Sequence, residues 1–127
     1  SGRPHPPVPG RALGSWLHDA AAAEGAQAMK VIVDLCVVPI GVGIDLAPYV
    51  AACQQVLQQR GLKHQLGPNS TAIEGEWGPV MEAVKACHEV VHELGAPRIF
   101  TSLKINSRTD RDQALEEKTA AVQQLLA

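Results

Sequence analysis

From Gly67 to Trp77 the chain reads Gly-Pro-Asn-Ser-Thr-Ala-Ile-Glu-Gly-Glu-Trp, and no other run constrains the fold as tightly. Pro68 fixes φ and lacks a backbone N–H, while Asn69 and Ser70 form turns through side-chain-to-backbone bonds. The chain therefore reverses between Pro68 and Ser70. Beyond the reversal, Ala72, Glu74 and Glu76 point to one side of an extended segment and Thr71, Ile73 and Gly75 to the other. Two carboxylates then share a face and repel each other unless water or a cation intervenes. A solvated strand is the plain alternative, because Glu is mostly exposed.

Turn signals place the other elements around this hairpin. Lys30 to Val38 is a β-branched run with one internal charge, Asp34, and Pro39 and Gly41 end it. Gly41-Val42-Gly43 has the wrong following spacing for a phosphate loop and reads as a plain turn. Asp45 can cap a helix in which Pro48, lying in the first turn, removes no needed donor. Leu46, Val50, Cys53 and Leu57 form its apolar stripe, and Gly61 stops it. Leu62 to Leu66 predicts a short strand, and Thr71 to Glu76 the next. Gly78-Pro79 opens a second helix with Val80, Val84, Cys87, Val91 and Leu94 at helical spacing, closed by Gly95 and Pro97. Arg98 to Ile105 predicts a fourth strand. Asp110, with Gln113 three residues on, matches a capping box for a last helix striped by Leu115, Val122 and Leu126.

The order β-α-β-β-α-β plus a terminal helix is the ferredoxin-like pattern of an α+β fold. It predicts one antiparallel four-stranded sheet with two helices on one face and the first and third strands central. The other sheet face is left uncovered. Alternation turns Val31, Val33, Leu35 and Val37 toward the helices, and Ile32, Asp34, Cys36 and Val38 toward the open side. On the fourth strand, Ile99, Thr101, Leu103 and Ile105 suit the core, leaving Phe100, Ser102 and Lys104 outside. An open face mixing apolar and charged residues is often covered by a partner, so self-association through it is the expectation.

At 127 residues one domain is expected, beginning near Met29 and running to residue 127. Residues 1–28 begin with alternating proline, glycine and basic residues, a composition too poor in burial to offset ordering entropy. They predict a flexible N-terminal extension. Arg3 and Arg11 would suit an organelle-targeting leader, but Asp19, Glu24 and the shortage of serine argue against one. A net charge of −2 offers no electrostatic reason for nucleic acid or an anionic membrane as partner. No apolar run approaches the roughly 20 residues that span a bilayer. The three cysteines, Cys36, Cys53 and Cys87, each sit in an apolar segment and are too widely spaced for a local metal knuckle. Reduced thiols packed as small hydrophobes, and hence a cytoplasmic location, are the expectation.

The segments "VIVDLCVVPIGVGIDLAPYVAACQQVL", "GLKHQLGPNSTAIEGEW", "VMEAVKACHEVVHELGAPRIFTSLKINSRTD" and "EEKTAAV" together resemble the small thiamine-binding protein family, single-domain relatives of the tandem-domain YkoF proteins. The resemblance runs from about Met29 to Ala127 and is most specific in "GPNSTAIEGEW" and "RIFTSLKIN". It implies a ferredoxin-like domain, assembly into a dimer of dimers, and binding of thiamine or a related aminopyrimidine without established catalysis; no cofactor is expected beyond thiamine as a bound ligand. Many members carry Met-Gly after the turn proline, where this chain has Asn69-Ser70, a departure that bears on ligand preference rather than fold.

Thiamine joins a cationic thiazolium to an aminopyrimidine edge of adjacent donors and acceptors. Its site needs a carboxylate near the cation, an apolar or aromatic wall and fixed polar groups at the ring edge. Micromolar binding requires roughly 8 kcal/mol, and one charge-assisted hydrogen bond contributes about 1.5–3 kcal/mol, so enclosure must supply the remainder. Asn69, Ser70, Thr71 and Glu74 are the favoured ligand residues, with Asp34 and Ser102 on neighbouring strands. The alternative for Asp34 is a simple pair with Lys104 across the sheet. Trp77 suits packing at a helix start or an oligomer interface.

Two rival functions remain. His88-Glu89-Val90-Val91-His92 spells H-E-x-x-H on a predicted helix, the signature of a zinc hydrolase. A zincin needs both histidines facing a cleft and a third ligand. Here Cys87, Val91 and Leu94 claim the buried stripe, and Arg98 stands where a third histidine belongs, so no metal site is expected. The other rival is a structural or regulatory homo-oligomer whose ligand site has decayed.

Overall fold

The computed structural model describes residues 29–127. The expectation for residues 1–28 lies outside that range. Strand β1 (Lys30–Ile40) is followed by helix α1 (Ala47–Gln59), strands β2 (Lys63–Leu66) and β3 (Thr71–Glu76), helix α2 (Trp77–Glu93), strand β4 (Arg98–Ser107) and helix α3 (Leu115–Leu126). The sheet is antiparallel in the order β2-β3-β1-β4, so the first and third strands are central. This is the α+β, ferredoxin-like arrangement.

Alternation divides β1 as its sequence requires. Val31, Val33 and Leu35 are buried, and with Ile73 of β3 they meet Leu57 and Cys53 of α1 and Val80, Ala83, Cys87 and Val91 of α2. Ile32, Asp34 and Cys36 lie half-buried on the other face. The core is aliphatic and sulfur-lined, as a chain so poor in aromatics must make it. Leu94, expected in the α2 stripe, is exposed because the helix has ended by then; Ala83 fills the equivalent turn nearer the middle.

Both core helices stop through the same device. After α1, the Gly61 amide donates to the Gln58 carbonyl and the Leu62 amide to the Leu57 carbonyl; after α2, Gly95 and Ala96 donate to His92 and Val91. Gly61 and Gly95 have φ of 68° and 110°, the left-handed backbone that this C-terminal motif demands. Leu62, expected at the head of β2, is thereby spent on the helix stop.

Several boundaries differ from expectation for identifiable reasons. β1 continues through Pro39 to Ile40 because its pairing with β3 ends at Leu35↔Thr71, whereas its ladder with β4 runs on to Ile40↔Arg98. A missing N–H on the vacated side breaks no ladder there. The opposite end of that ladder, Val31↔Ser107, carries β4 two residues beyond the expected Ile105. α2 starts at Trp77, whose amide donates to the Met29 carbonyl at 2.8 Å. Asp45 does meet α1, accepting from the Ala47 amide at 3.2 Å, with Leu46 at the cap position.

The last helix carries the largest correction. The expected Asp110–Gln113 capping box does not form: α3 starts at Leu115, and Asp110 is tied to Arg108 instead. The cap comes from another strand. The Glu74 carboxylate on β3 accepts the Leu115 amide at 2.8 Å, which joins α3 to the open side of the sheet. Only Leu115 of the α3 stripe is buried, while Val122, Leu125 and Leu126 are exposed.

Candidate functional site

The central site follows from a mismatch in strand length. β1 extends past the point where β3 begins, and the Pro68 turn and α1 close around the gap. The Gly67 amide donates to the Ser70 carbonyl at 2.8 Å, which pins the reversal. The result is a cavity of about 300 Å³ lined by Cys36 to Val38, by Leu46 at the α1 cap, by Val50 and Gln54 of α1, and by Leu66 to Thr71. Its volume sits at the small end of ligand pockets, enough for one or two rings but not a dinucleotide.

Its inner wall is aliphatic, and its polar groups are held in place. Ser70 Oγ donates to Asp34 Oδ1 at 2.6 Å, and Gln54 Nε2 donates to Thr71 Oγ1 at 2.9 Å. Successive strand residues direct their N–H and C=O alternately to the two neighbouring strands. Part of the Cys36–Val38 backbone therefore faces the space that β3 would occupy, which here is the cavity. A strand edge of this kind offers an N–H and a C=O side by side, complementary to a planar ring bearing an adjacent acceptor and donor.

The six expected ligand residues are thus divided. Asn69, Ser70 and Thr71 line the cavity together, and Asp34 stands directly behind Ser70. Asp34 lies opposite Lys104 in the β1–β4 ladder, yet among the described residues no ion pair joins them; the carboxylate is turned to Ser70. Ser102 sits opposite Cys36 on β4, exposed and off the cavity wall. Glu74 is also elsewhere. It is 9% exposed and engaged with the Leu115 amide and with Lys30 Nζ at 3.1 Å and Lys63 Nζ at 3.4 Å. Burial raises its carboxyl, but the amide and the two ammoniums outweigh that and hold it below the usual carboxylate range. Its place on the open face followed from alternation; its role there is to hold α3.

Gln54 and the Cys36–Val38 edge escaped the sequence reading. Gln54 lies next to the apolar residue Cys53 on α1 and looks like an ordinary helix-surface amide. The free edge depends on where β3 starts relative to β1, which pairing register determines.

The two H-E-x-x-H rings meet edge-on, 6.5 Å between centroids, but each is engaged elsewhere. His88 Nε2 and Thr101 Oγ1 lie 2.6 Å apart, and His92 Nδ1 donates to the Ala96 carbonyl at 2.8 Å, so each ring is bound to a different neighbour. Glu89 is exposed. Among the described residues, no group of three or more His, Cys, Asp or Glu side chains is placed to hold a metal. Cys53 and Cys87 are buried free thiols; the Cys53 thiol and burial together push Cys87 up, leaving it a neutral packing group. Cys36, the half-buried thiol, lines the cavity. No helix among the described residues is long and apolar enough to cross a membrane.

Comparison with known proteins shows the family and the fold. A family model described as thiamine-binding protein matches residues 33–123. A UPF0045 protein of Synechocystis is 58% identical over 97 residues, covering 76% of this chain and 80% of the relative. A crystal structure of a hypothetical protein of Methanocaldococcus jannaschii superposes with a TM-score of 0.69 at 29% identity, covering 74% of this chain and 96% of that one. A Thermotoga maritima structure, described provisionally as a thiamine biosynthesis/salvage protein, gives a TM-score of 0.63 at 27% identity, covering 73% and 98%.

Proposed function

Because the chain belongs to the thiamine-binding protein family, we propose that it binds thiamine or a related aminopyrimidine, without catalysis, in the cavity between β1, α1 and the Pro68 turn. The observation that carries this reading is the pairing of a free strand edge with an anchored carboxylate around an aliphatic pocket. The pyrimidine edge meets the Cys36–Val38 backbone, the ring stacks against Val38, Leu46 and Val50, and Asp34 with Ser70 supplies negative potential toward the thiazolium. No nucleophile, metal cluster or acid–base pair with separated pKa values is needed for such a role.

The second part of the proposal is self-association, to a dimer and then a dimer of dimers. Phe100, exposed on the open side of β4, favours it, as do the exposed Val122, Leu125 and Leu126 of α3. These are large apolar side chains that a second copy of the chain could cover. A structural or regulatory oligomer without ligand would use the same surface and leave the cavity idle. Titration calorimetry separates the two. The proposal expects one thiamine bound per chain, with a dissociation constant on the order of micromolar, and thiamine recovered unchanged after prolonged incubation. No heat with thiamine or hydroxymethylpyrimidine, from a properly assembled oligomer, would leave only the structural role.

A further inference from the structure

The charge of the cavity limits the chemistry of its ligand further. Resting on the proposed function above, we infer that this site takes the unphosphorylated form of its ligand and rejects phosphate esters. Phosphate recognition in proteins relies on Lys or Arg side chains or on free amides at a helix N-terminus. Neither is offered by the described residues. Among the described residues, no Lys, Arg or His lines the cavity.

The one helix N-terminus at the cavity, that of α1 with Leu46 on the wall, has its donors committed. The Ala47 amide donates to Asp45 Oδ1 at 3.2 Å, Pro48 has no amide hydrogen, and the Tyr49 and Val50 amides donate to the Leu46 carbonyl at 3.0 and 3.1 Å. Asp45 also brings its own carboxylate to the place an anion would occupy. On the opposite wall, Ser70 has already given its hydroxyl hydrogen to Asp34 at 2.6 Å, so it presents a lone pair backed by a carboxylate. A phosphate entering between these walls would lose its hydration without gaining a cation, and would meet the Ser70 oxygen with the Asp34 carboxylate behind it. A cationic or neutral heterocycle meets no such penalty.

The experiment compares thiamine, thiamine monophosphate and thiamine diphosphate by calorimetry on the full chain at pH 7.5, with hydroxymethylpyrimidine as the neutral fragment. Thiamine is expected to bind at least tenfold more tightly than either phosphate ester, and the fragment to bind measurably. Thiamine diphosphate binding within threefold of thiamine, or more tightly, would overturn the inference. A second measurement keeps the result independent of thiamine itself. Backbone resonances of Cys36, Asn69, Ser70 and Thr71 are followed while inorganic pyrophosphate is added to millimolar concentration. No movement is expected; a saturable shift at these positions would overturn the inference even if thiamine proved not to be the ligand. If thiamine produces neither heat nor shift while pyrophosphate also leaves the cavity unmoved, the proposed function fails but the exclusion of phosphate stands. The Asn69→Lys variant adds the missing cation at the rim and is expected to narrow the thiamine-to-diphosphate ratio at least fivefold. An unchanged ratio in a folded Asn69→Lys protein would mean that the charge of the wall does not set the preference.

Discussion

Ser70 is a small residue with two duties, closing the hairpin through its carbonyl and orienting Asp34 through its hydroxyl. Ser70→Ala keeps the first and removes the second. Thiamine affinity should fall roughly five- to tenfold, the net worth of one hydrogen bond, with little change in unfolding midpoint; calorimetry beside a denaturation curve checks both. Glu74 behaves oppositely. Glu74→Gln retains an oxygen for the Leu115 amide but leaves Lys30 and Lys63 without their counter-charge. Because both lysines are partly exposed, solvent screens the loss to about 1–2 kcal/mol, and ligand affinity should stay within twofold. A thiamine affinity reduced tenfold or more in that variant would return Glu74 to the binding site.

Glu74 also carries a pH dependence whose sign follows from its environment. Its folded-state carboxyl lies below the ordinary value, about 4.3 for Glu. Its contribution is therefore complete above that ordinary value and is lost as pH falls below it toward the folded value. The Leu115 amide resonance should titrate with a midpoint below the ordinary Glu value, and loosening of α3 should accompany it. A midpoint above that ordinary value would show that burial, not the lysines and the amide, dominates.

Among the elements, α1 and α2 were legible because their signals are local. An apolar stripe of period 3.6 and a glycine one residue past the C-cap are written within each segment. Gly61 shows how firmly: nothing lies within 4 Å of a Cβ built there, so the requirement is its φ of 68° and not space. Gly61→Ala should thus cost roughly 1–2 kcal/mol through backbone strain alone, read as a lower denaturant midpoint at unchanged slope. The start of α3 was not legible for the converse reason. Asp110 and Gln113 have the spacing of a cap, but Arg108 captures Asp110 and a carboxylate 41 residues earlier does the capping. Local spacing records what a side chain could reach, not which competitor reaches it first.

For the whole molecule, strand order and faces followed from counting elements and alternating side chains, and this located Asn69, Ser70 and Thr71 at the hairpin. What could not be counted was register. That Leu35 pairs with Thr71, so that Cys36 to Val38 run free, decides that a cavity exists and that Glu74 and Ser102 lie outside it. The open face then becomes a matter of assembly. Phe100→Asp should shift sedimentation toward monomer at micromolar concentration while leaving the circular dichroism of the fold intact. Unchanged sedimentation would place any interface elsewhere.

The open face also supplies the sharpest test of the central claim, because it holds a second concavity, of about 440 Å³, lined by Ile32, Asp34, Lys104, Asn106, Leu115 and Lys118 among others. Asp34 lines this second concavity and touches the first only through Ser70, so a change at Asp34 cannot discriminate between them. Chemical-shift mapping of the assigned backbone during thiamine titration can. The account predicts saturable shifts at Cys36, Val38, Gln54, Asn69, Ser70 and Thr71, with Lys104, Asn106, Leu115 and Lys118 still. Shifts confined to the latter four would contradict it and move the ligand to the open face of the sheet.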